Sequence, residues 1–423
     1  MPNSFSKEER VAFENLLEGF QDALVLSRNV SIYNTDQTMM ERTNNTIWRP
    51  QPYISKSYSG TDMTSNFTDY IQLAVPATIG FNQSVPWVMT ATELRDALQE
   101  QRLGDAAKQK LASDINVAVM NVASAQGTLV VKRLAAATGF DDVAQCEAIF
   151  NEQGVNFDSR YLALSTRDYN GMANNLAGRQ TLSGKTLTAY DRAYIGQVAS
   201  FDTFKLDYAN RIAAAAGSGI TIDTRDAATN YQIPKAISTS PTTAERLNVD
   251  NRYQTITVSS STGVATGDCF TIAGVNAVHH ITKGDTGQLK TFRVISVPAG
   301  GTTLVISPGI VSNQVASAAS AEYQNCVVNT KASNSAIVFL NTAAAPINCF
   351  WQKDAIEILP GRYAVPADAG ANVMRASTDQ GIELVMQKQY DINTMKTRYR
   401  LDTLFGVVNK QPEMSGIILF GQV

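Results

Sequence analysis

The sequence is poor in the side chains that most often bind metals. The chain has 423 residues and only two histidines, His279 and His280. They are adjacent, so on a strand they point to opposite faces and cannot both bind one ion in the usual way. The four cysteines are far apart in the chain: Cys146, Cys269, Cys326 and Cys349. None forms a CxxC pair, so we predict free buried thiols, no metal site and no cofactor.

Motifs of nucleotide binding and catalysis are also missing. Residues 178–186 read GRQTLSGKT, but five residues separate Gly178 from Gly184, one too many for a phosphate-binding loop. No GxSxG nucleophile elbow occurs. Asp141 and Asp142 fit the start of a helix better than an acid–base pair. Without histidine near a nucleophile, most hydrolases and transferases lose their usual base, so we predict that the chain is not an enzyme.

The chain has no long apolar run and no excess of positive charge. Because no run of about 18 apolar residues occurs, we predict no membrane span. The opening MPNSFSKEERVAF lacks the basic-then-apolar order of a signal peptide, so we expect folding in a cytoplasm. The net charge of −3 provides no field that would hold nucleic acid strongly. The length predicts about two or three domains.

Two amphipathic helices are predicted near the N-terminus. Residues 6–28 start with a capping box and continue with one apolar stripe, which covers either this chain's core or another chain's surface. A second capping box, Thr90 with Glu93, begins a segment that ends at Gly127. At 1.5 Å per residue this segment predicts a spine helix about 50 Å long. Gly104 within it marks a bend or a close contact.

Between these helices the sequence predicts a long hairpin. The stretch ERTNNTIWRPQPY, residues 41–53, places Trp48 in a polar, extended segment. The alternation of Ile71, Leu73 and Val75 predicts a returning strand with one buried face. Because two strands alone bury too little to be stable, the hairpin needs a neighbour. Trp48 packs against the spine helix or that neighbour, or it covers the core of its own domain.

The rest of the chain divides into α/β and β-rich parts. Residues 131–220 combine Ala-rich helical pieces with short strands such as SRYLALS. From 253 to 312, short apolar segments alternate with the turn sequences STG, TGD, GDTG and PAGG, which predicts an antiparallel barrel or sandwich. Because α/β-type segments resume after residue 340, we predict that the β domain is an insertion.

The C-terminal segment alternates between two faces. One face carries Met395, Thr397, Tyr399 and Leu401, and the other carries Lys396, Arg398, Arg400 and Asp402. This alternation predicts a long strand that is basic on one side, followed by a turn at Gln411-Pro412 and a buried strand, GIILF. The basic side is either a solvated face or an intermolecular contact.

Several stretches carry a resemblance to a known family. They are NTIW at 45–48, the spine segment from ATELRDALQE to KLASDINVAVMNVAS, NVDNRYQTITVSSSTGVATGDCFTIAGV at 248–275, NCFWQKDAIEILP at 348–360, and the terminal LFGVVNKQPEMSGIIL. In this order they resemble the major capsid proteins of tailed phages, which share the Hong Kong phage capsid fold. The inserted β domain resembles the coat proteins of short-tailed phages of the Salmonella-phage type.

The resemblance implies an α+β chain with a peripheral and an axial domain and an inserted antiparallel β-barrel. The expected parts are an N-terminal arm (1–44), an extended-loop hairpin (45–85), the spine helix of the peripheral domain (86–130), the axial domain (131–221), the inserted β-barrel (222–340), and a return to the axial and peripheral domains (341–423).

The same resemblance implies a coat protein that assembles with itself. Its copies would form hexamers and pentamers of an icosahedral shell around double-stranded DNA, with assembly directed by a scaffolding protein and expansion on packaging. The implied partners also include a portal protein and the DNA, held by weak non-specific contact, but no membrane. The alternative is a β-rich carbohydrate-binding or adhesion protein, because residues 253–312, taken alone, are also compatible with such a protein.

Eight residues are candidates for contacts between subunits. They are Arg42, Trp48, Arg49, Lys235, Glu245, Arg246, Arg398 and Arg400. In the resembling family a loop of the inserted domain ties neighbouring capsomers together. Its counterpart here, residues 235–249, has only three charges, so the sequence leaves open whether ionic ties form.

Overall fold

The computed structural model divides the chain into two compact units. It describes residues 10–17, 25–33, 46–52, 55, 57–64, 67, 70–90, 92–93, 97–177, 195–222, 231–314, 318–328, 335–364, 372–378 and 380–423. The first unit comprises Met1–Ile47, Ala77–Met120 and Ile356–Val408, and the second comprises Trp48–Pro76, Asn121–Ala355 and Asn409–Val423. The six-part division stays a prediction.

Five α-helices occur in the described residues. They are α1 (10–17), α2 (Ala97–Gln126), α3 (Phe140–Gln153), α4 (Thr166–Ala177) and α5 (Ala318–Glu322), with 3-10 turns at Ser27–Asn29 and Pro412–Met414. The capping box before α2 is confirmed, because the Thr90 amide donates to Glu93 Oε2 at 2.8 Å. Its reciprocal bond runs from the Glu93 amide to Thr90 Oγ1 at 3.4 Å.

The N-terminal helix α1 packs on this chain's own core. Phe13 and Leu16 are buried, so their part of the apolar stripe does not face another chain. Leu16 lies over Gly104 of α2, where an added Cβ would stand 3.3 Å from Leu16 Cδ1. Gly104 therefore marks a close contact between helices, one of the two predicted roles.

The first unit contains one six-stranded sheet. Its strands are β1 (Ser31–Ile32), β4 (Phe81–Thr90), β21 (Ile356–Pro360), β22 (Asn372–Ser377), β23 (Glu383–Asp391) and β24 (Lys396–Asn409). The order is β1-β21-β24-β23-β22, and β4 also pairs with β24. The predicted long C-terminal strand is confirmed as β24. Two details were wrong: Asp402 is buried, and Met395 lies in the preceding turn with φ 51°.

The second unit contains a mixed sheet covered by helices. Its strands are β5 (Leu129–Lys132), β6 (Arg160–Ser165), β7 (Gln197–Val198), β8 (Phe201–Leu206), β20 (Asn348–Gln352) and β25 (Ser415–Leu419). Phe150 of α3 packs against Phe201 and Phe350, with ring centroids 5.5 and 5.0 Å away. The buried Asp142 accepts the Thr138 and Gly139 amides at the start of α3, as expected for a capping residue.

The second unit also contains the predicted β-barrel. Its strands are β10 (Thr221–Ile222), β13 (Gln254–Thr257), β14 (Cys269–Val278), β15 (Asp285–Ser296), β16 (Thr303–Ser307), β17 (Cys326–Val328) and β18 (Ser335–Phe339). They pair in the order β10-β18-β14-β15-β16-β13, and β17 joins β14. A bridge between Ile222 and Val258 brings the two ends of this sheet together, so it curls into a near-closed barrel around Phe270 and Phe292.

Three two-stranded ladders complete the described structure. They are β2 (Thr46–Pro50) with β3 (Ala74–Thr78), β9 (Arg211–Ile212) with β19 (Ala345–Pro346), and β11 (Ile237–Thr239) with β12 (Arg246–Asn248). The bond from the Gln51 amide to the Leu73 carbonyl, 2.9 Å long, fits the predicted antiparallel hairpin of β2 and β3.

Candidate intersubunit surfaces

The long loop, residues 51–73 between β2 and β3, begins beside Trp48 and Arg49, which are half-buried. The base of the loop is held within the second unit. Tyr323 donates its hydroxyl to the Ile71 carbonyl at 2.7 Å, and Gln51 Nε2 donates to the Lys410 carbonyl at 3.0 Å. The intersubunit role of Trp48 and Arg49 stays a prediction, and Arg42 lies outside the described residues.

The long loop exposes aromatic side chains that the sequence analysis did not single out. Phe67 is 86% exposed, Tyr70 56% and Tyr58 41%. Large aromatic groups are normally covered, so three exposed aromatic side chains on one polar loop are an unusual feature of the described surface. The signal in the sequence is two aromatic residues within the otherwise polar NFTDY.

The barrel hairpin, residues 235–249, contains β11 and β12, and every residue of these two strands is exposed. Asn251 fixes its base: Nδ2 donates to the Lys235 and Val249 carbonyls at 2.9 and 3.1 Å. Ile237 pairs with Asn248 and Leu247 with Ser238, so the two apolar side chains occupy opposite faces.

The three charged candidates on the barrel hairpin are Lys235, Glu245 and Arg246, and all are exposed. Within the described part of the chain, none of their side chains forms an ion pair. Their charges are therefore open to a neighbour. These charges were predicted as contacts from the sequence, but Ile237 and Leu247, which are 44% and 51% exposed, were not.

The two arginines of β24 differ from these charges because each has a carboxylate partner. Arg400 Nε lies 2.6 Å from Asp402 Oδ1, and the Asp402 side chain is buried. Arg398 Nη2 lies 3.2 Å from Asp391 Oδ2 in a more exposed pair. Two of the three basic side chains in the predicted stripe, Arg398 and Arg400, therefore pair with this chain's own acids.

The turn between β23 and β24, residues 391–395, exposes Ile392 (78%) and Met395 (60%). Asp391 orders this turn by accepting the Asn393 amide at 3.0 Å and the Thr394 hydroxyl at 2.9 Å. These two bonds keep the pKa of Asp391 below its ordinary value. The turn is therefore an ordered end of the hairpin that exposes apolar side chains next to charged ones.

The main buried ionic cluster lies in the second unit. Lys290, which is buried, forms an ion pair with Glu413. Burial alone would raise the pKa of Glu413, but the charges of Lys290, His280 and Lys283 lower it below its ordinary value. Burial lowers the pKa of His280 to about 4 and that of Lys283 to about 8.

In the described ranges no cluster of three or more His, Cys, Asp or Glu side chains could hold a metal ion. All four cysteines are free and buried, as predicted. Burial raises the pKa of the Cys326 and Cys349 thiols to about 12, so these groups are poor nucleophiles. No helix among the described residues has the length and apolarity needed to cross a membrane.

The sequence model of one protein family, described as "P22 coat protein - gene protein 5", matches residues 1–421. This match covers nearly the whole chain, including the segments from which the carbohydrate-binding alternative was drawn. It leaves that alternative without support.

Solved structures also align with the chain. One from Mycobacterium phage Che8 shares 9% identity and a TM-score of 0.44, over 93% of this chain and 90% of that chain. A virus-like particle from Pyrococcus furiosus shares 9% identity and a TM-score of 0.42, over 98% and 100%. The CUS-3 coat protein I-domain aligns over 99% of its length with 30% of this chain, at 41% identity and a TM-score of 0.21.

Proposed function

Because the chain belongs to the P22 coat protein family and is a major capsid protein of a tailed phage, we propose that its copies bind one another through three exposed segments. The copies form hexamers and pentamers of an icosahedral shell around double-stranded DNA. The chain works as a structural element and breaks no bond.

The long loop carries this proposal. Phe67 and Tyr70 lie mostly in solvent, at 86% and 56% exposure. Burying apolar surface contributes about 25 cal/mol per Å², so covering two aromatic side chains stabilises a contact by several kcal/mol before ordering costs. A second copy, which the shell supplies on every side, is the partner that covers them. Trp48 and Arg49 set the direction in which the loop leaves the hairpin.

The barrel hairpin is the second segment. Ile237 and Leu247 provide one apolar group on each face, while Lys235, Glu245 and Arg246 form a polar rim. Each face of the hairpin thus offers one apolar side chain bordered by polar groups, as small contact areas in protein interfaces do. The hairpin contact therefore combines burial with ionic ties to a neighbouring copy.

The tip of β23 and β24 is the third segment. Ile392 and Met395 supply exposed apolar surface, and Arg398 and Arg400 stand beside them along β24. Because both arginines already have carboxylate partners, they orient the strand and add polar contacts at the rim. Arg42, in the N-terminal arm, is a further proposed contact.

Several modest contacts suit a shell better than one strong contact. A copy held by three separate segments gains avidity when all three are engaged. A misplaced copy engages fewer of them and leaves before the shell closes. The exposed apolar groups are distributed over separate segments, so no single large patch invites aggregation.

We propose that a scaffolding protein, a portal protein and DNA are further partners, and that assembly takes place in the host cytoplasm. Contact with DNA is weak and non-specific, which the net charge of −3 supports. Strong phosphate contacts repeated over many copies would hold the DNA too tightly for release. The internal pairing of Arg398 and Arg400 keeps the local positive field small.

Electron microscopy of the full chain, expressed with its scaffolding protein, tests the proposal. The double variant Phe67→Ser, Tyr70→Ser should abolish most closed shells, and deletion of residues 59–66 should have a similar effect. Ser59→Ala and Thr61→Ala are matched controls in the same loop. The free energy of unfolding of the unassembled chain should stay unchanged. Normal shell yield in the double variant would show that the aromatic groups do not hold a neighbour.

A further inference from the structure

The C-terminal end of α2 lacks a basic residue of its own. Its last turn contains no Lys, Arg or His. The last carbonyls of a helix have no partner within the helix and carry partial negative charge, which favours a cation nearby. The end of this helix is also buried: Ser124 is 3% exposed and Thr128 1%. A buried helix end needs donors from elsewhere in the chain.

Arg293, in strand β15 of the barrel, supplies those donors. Its Nη1 donates to the Ser124 carbonyl at 2.6 Å and to the Gly127 carbonyl at 3.3 Å. The side chain is 1% exposed, so its charge has lost nearly all contact with water. A buried guanidinium is tolerated only where dipoles or anions replace that water, and the helix end provides such dipoles.

The strand β15 presents two different faces. Phe292 and Val294 belong to the apolar core inside the barrel. The alternation of a strand places Thr291 and Arg293 on the opposite face. Thr291 Oγ1 donates to the Thr128 carbonyl at 2.8 Å, two residues beyond the helix. The outer face of one barrel strand thus binds both the helix end and the connection that leads to β5.

A second attachment lies next to these in the same strand. Lys290 forms its ion pair with Glu413, in the 3-10 turn Pro412–Met414. The carbonyl of Pro412 accepts the Thr128 hydroxyl at 2.8 Å. Two segments that are distant in the chain, residues 124–128 and the turn that holds Glu413, therefore converge on residues 290–293 of the barrel.

We propose that the inserted barrel provides the C-terminal cap of α2 through Arg293 and thereby positions the junction between α2 and β5. Residues 124 and 293 are far apart in the chain, so the cap exists only when β15 is in place. The Gly127 amide closes the last turn of α2 on the Ala123 carbonyl at 3.2 Å, and the folded insertion supplies the donor for the next carbonyl, that of Ser124. Arg293 reaches both carbonyls through the two N–H groups of Nη1, and a guanidinium keeps its charge when buried, whereas a buried lysine loses its proton more readily.

Hydrogen exchange of the full-length, unassembled chain tests this proposal. We compare Arg293→Met and Arg293→Lys with the control Arg167→Met, which removes an exposed arginine from α4. In Arg293→Met, amides of residues 121–128 should exchange at least tenfold faster, because the uncapped helix end frays. Arg293→Lys should restore part of the protection, since it keeps the charge, and the control should match the wild type.

Three results would overturn the proposal. The first is unchanged exchange at 121–128 in Arg293→Met while the barrel strands stay protected. The second is an increase spread evenly over the second unit, which indicates a general loss of packing. The third is equal exchange in the Met and Lys variants. If Arg293→Met yields no soluble protein, Arg293→Lys decides alone, with a local increase expected and a uniform increase contradicting the cap.

Discussion

The β23–β24 hairpin and the barrel hairpin both expose charged and apolar side chains, but they differ in whether those charges form ion pairs within the chain. In the first, Arg398 and Arg400 each face a carboxylate of the same hairpin. In the second, Lys235, Glu245 and Arg246 have no ion pair within the described residues. An exposed charge is therefore available to a partner in one hairpin and already engaged in the other.

This difference shows why a basic stripe in a sequence is weak evidence for binding. An internal ion pair cancels most of the field that a phosphate or a neighbouring carboxylate would feel. On the barrel hairpin the few charges count for more because nothing in the described chain neutralises them. In the proposed contact with a neighbouring copy, the apolar groups Ile237 and Leu247 then decide the strength of binding.

The largest effect is expected from removing the apolar groups of the barrel hairpin. The double variant Ile237→Ser, Leu247→Ser should fold normally because both side chains are exposed, yet it should form few closed shells. The loss repeats at every copy, so a small deficit for each contact grows over the shell. Particle counts by microscopy measure it, with Ile281→Ser, an apolar site in another loop that is 70% exposed, as the control. Equal particle yields for the wild type, the double variant and the control would show that the hairpin does not contribute to assembly.

A smaller effect, on folding, should separate the two arginines of β24. Arg400→Met leaves the buried Asp402 carboxylate without its cation and should cost about 2 kcal/mol of unfolding free energy. Arg398→Met breaks an exposed pair and should cost less than about 0.5 kcal/mol. Urea unfolding at neutral pH measures both. Similar costs for the two variants would contradict the contrast between a buried and an exposed partner.

The buried ionic cluster of the barrel predicts a dependence of stability on pH. Burial lowers the pKa of His280 to about 4 from the ordinary 6.5, so the folded state favours the neutral ring. The contribution of His280 to the free energy of unfolding is therefore fully present above pH 6.5 and is lost as the pH falls towards 4. His280→Gln should therefore flatten that decline by about 1–2 kcal/mol, measured by urea unfolding between these pH values. A slope identical to that of the wild type would show that His280 protonates equally well in the folded chain.

The smallest effect should come from the charges of the barrel hairpin. Replacing Lys235, Glu245 and Arg246 by Gln should lower shell yield less than the apolar double variant, because exposed pairs contribute about 0–1 kcal/mol each. The loss should appear at low ionic strength and fade as salt screens the wild-type contact. A yield that is independent of salt in the wild type would show that no ionic tie forms there.

Periodicity and capping residues determined much of the fold in advance. The Thr90–Glu93 capping box, the end of α2 before Gly127, the start of α3 at Asp141 and Asp142, and the buried last strand were all predicted and are all confirmed. Each depends on residues within a few positions of one another. The near-closure of the barrel was not predictable in this way, because the bridge between Ile222 and Val258 joins segments that the sequence keeps apart.

The candidate surfaces were predicted less completely. The sequence located the exposed charges of the barrel hairpin but missed Ile237, Leu247, Phe67 and Tyr70. An apolar residue beside polar ones looks the same in a sequence whether it faces the core or solvent. Asp402 was placed on the exposed face for the converse reason: alternation predicts the side of a strand but not whether that side is covered.

Local sequence alone set the elements of this protein, since helix caps, strand alternation and turns act over short distances. The tertiary structure decided which groups meet across long distances: Arg293 at the end of α2, Lys290 with Glu413, and Leu16 over Gly104. A buried polar group needs a hydrogen-bond or charge partner, and residues distant in the chain become available as partners only when the chain has folded.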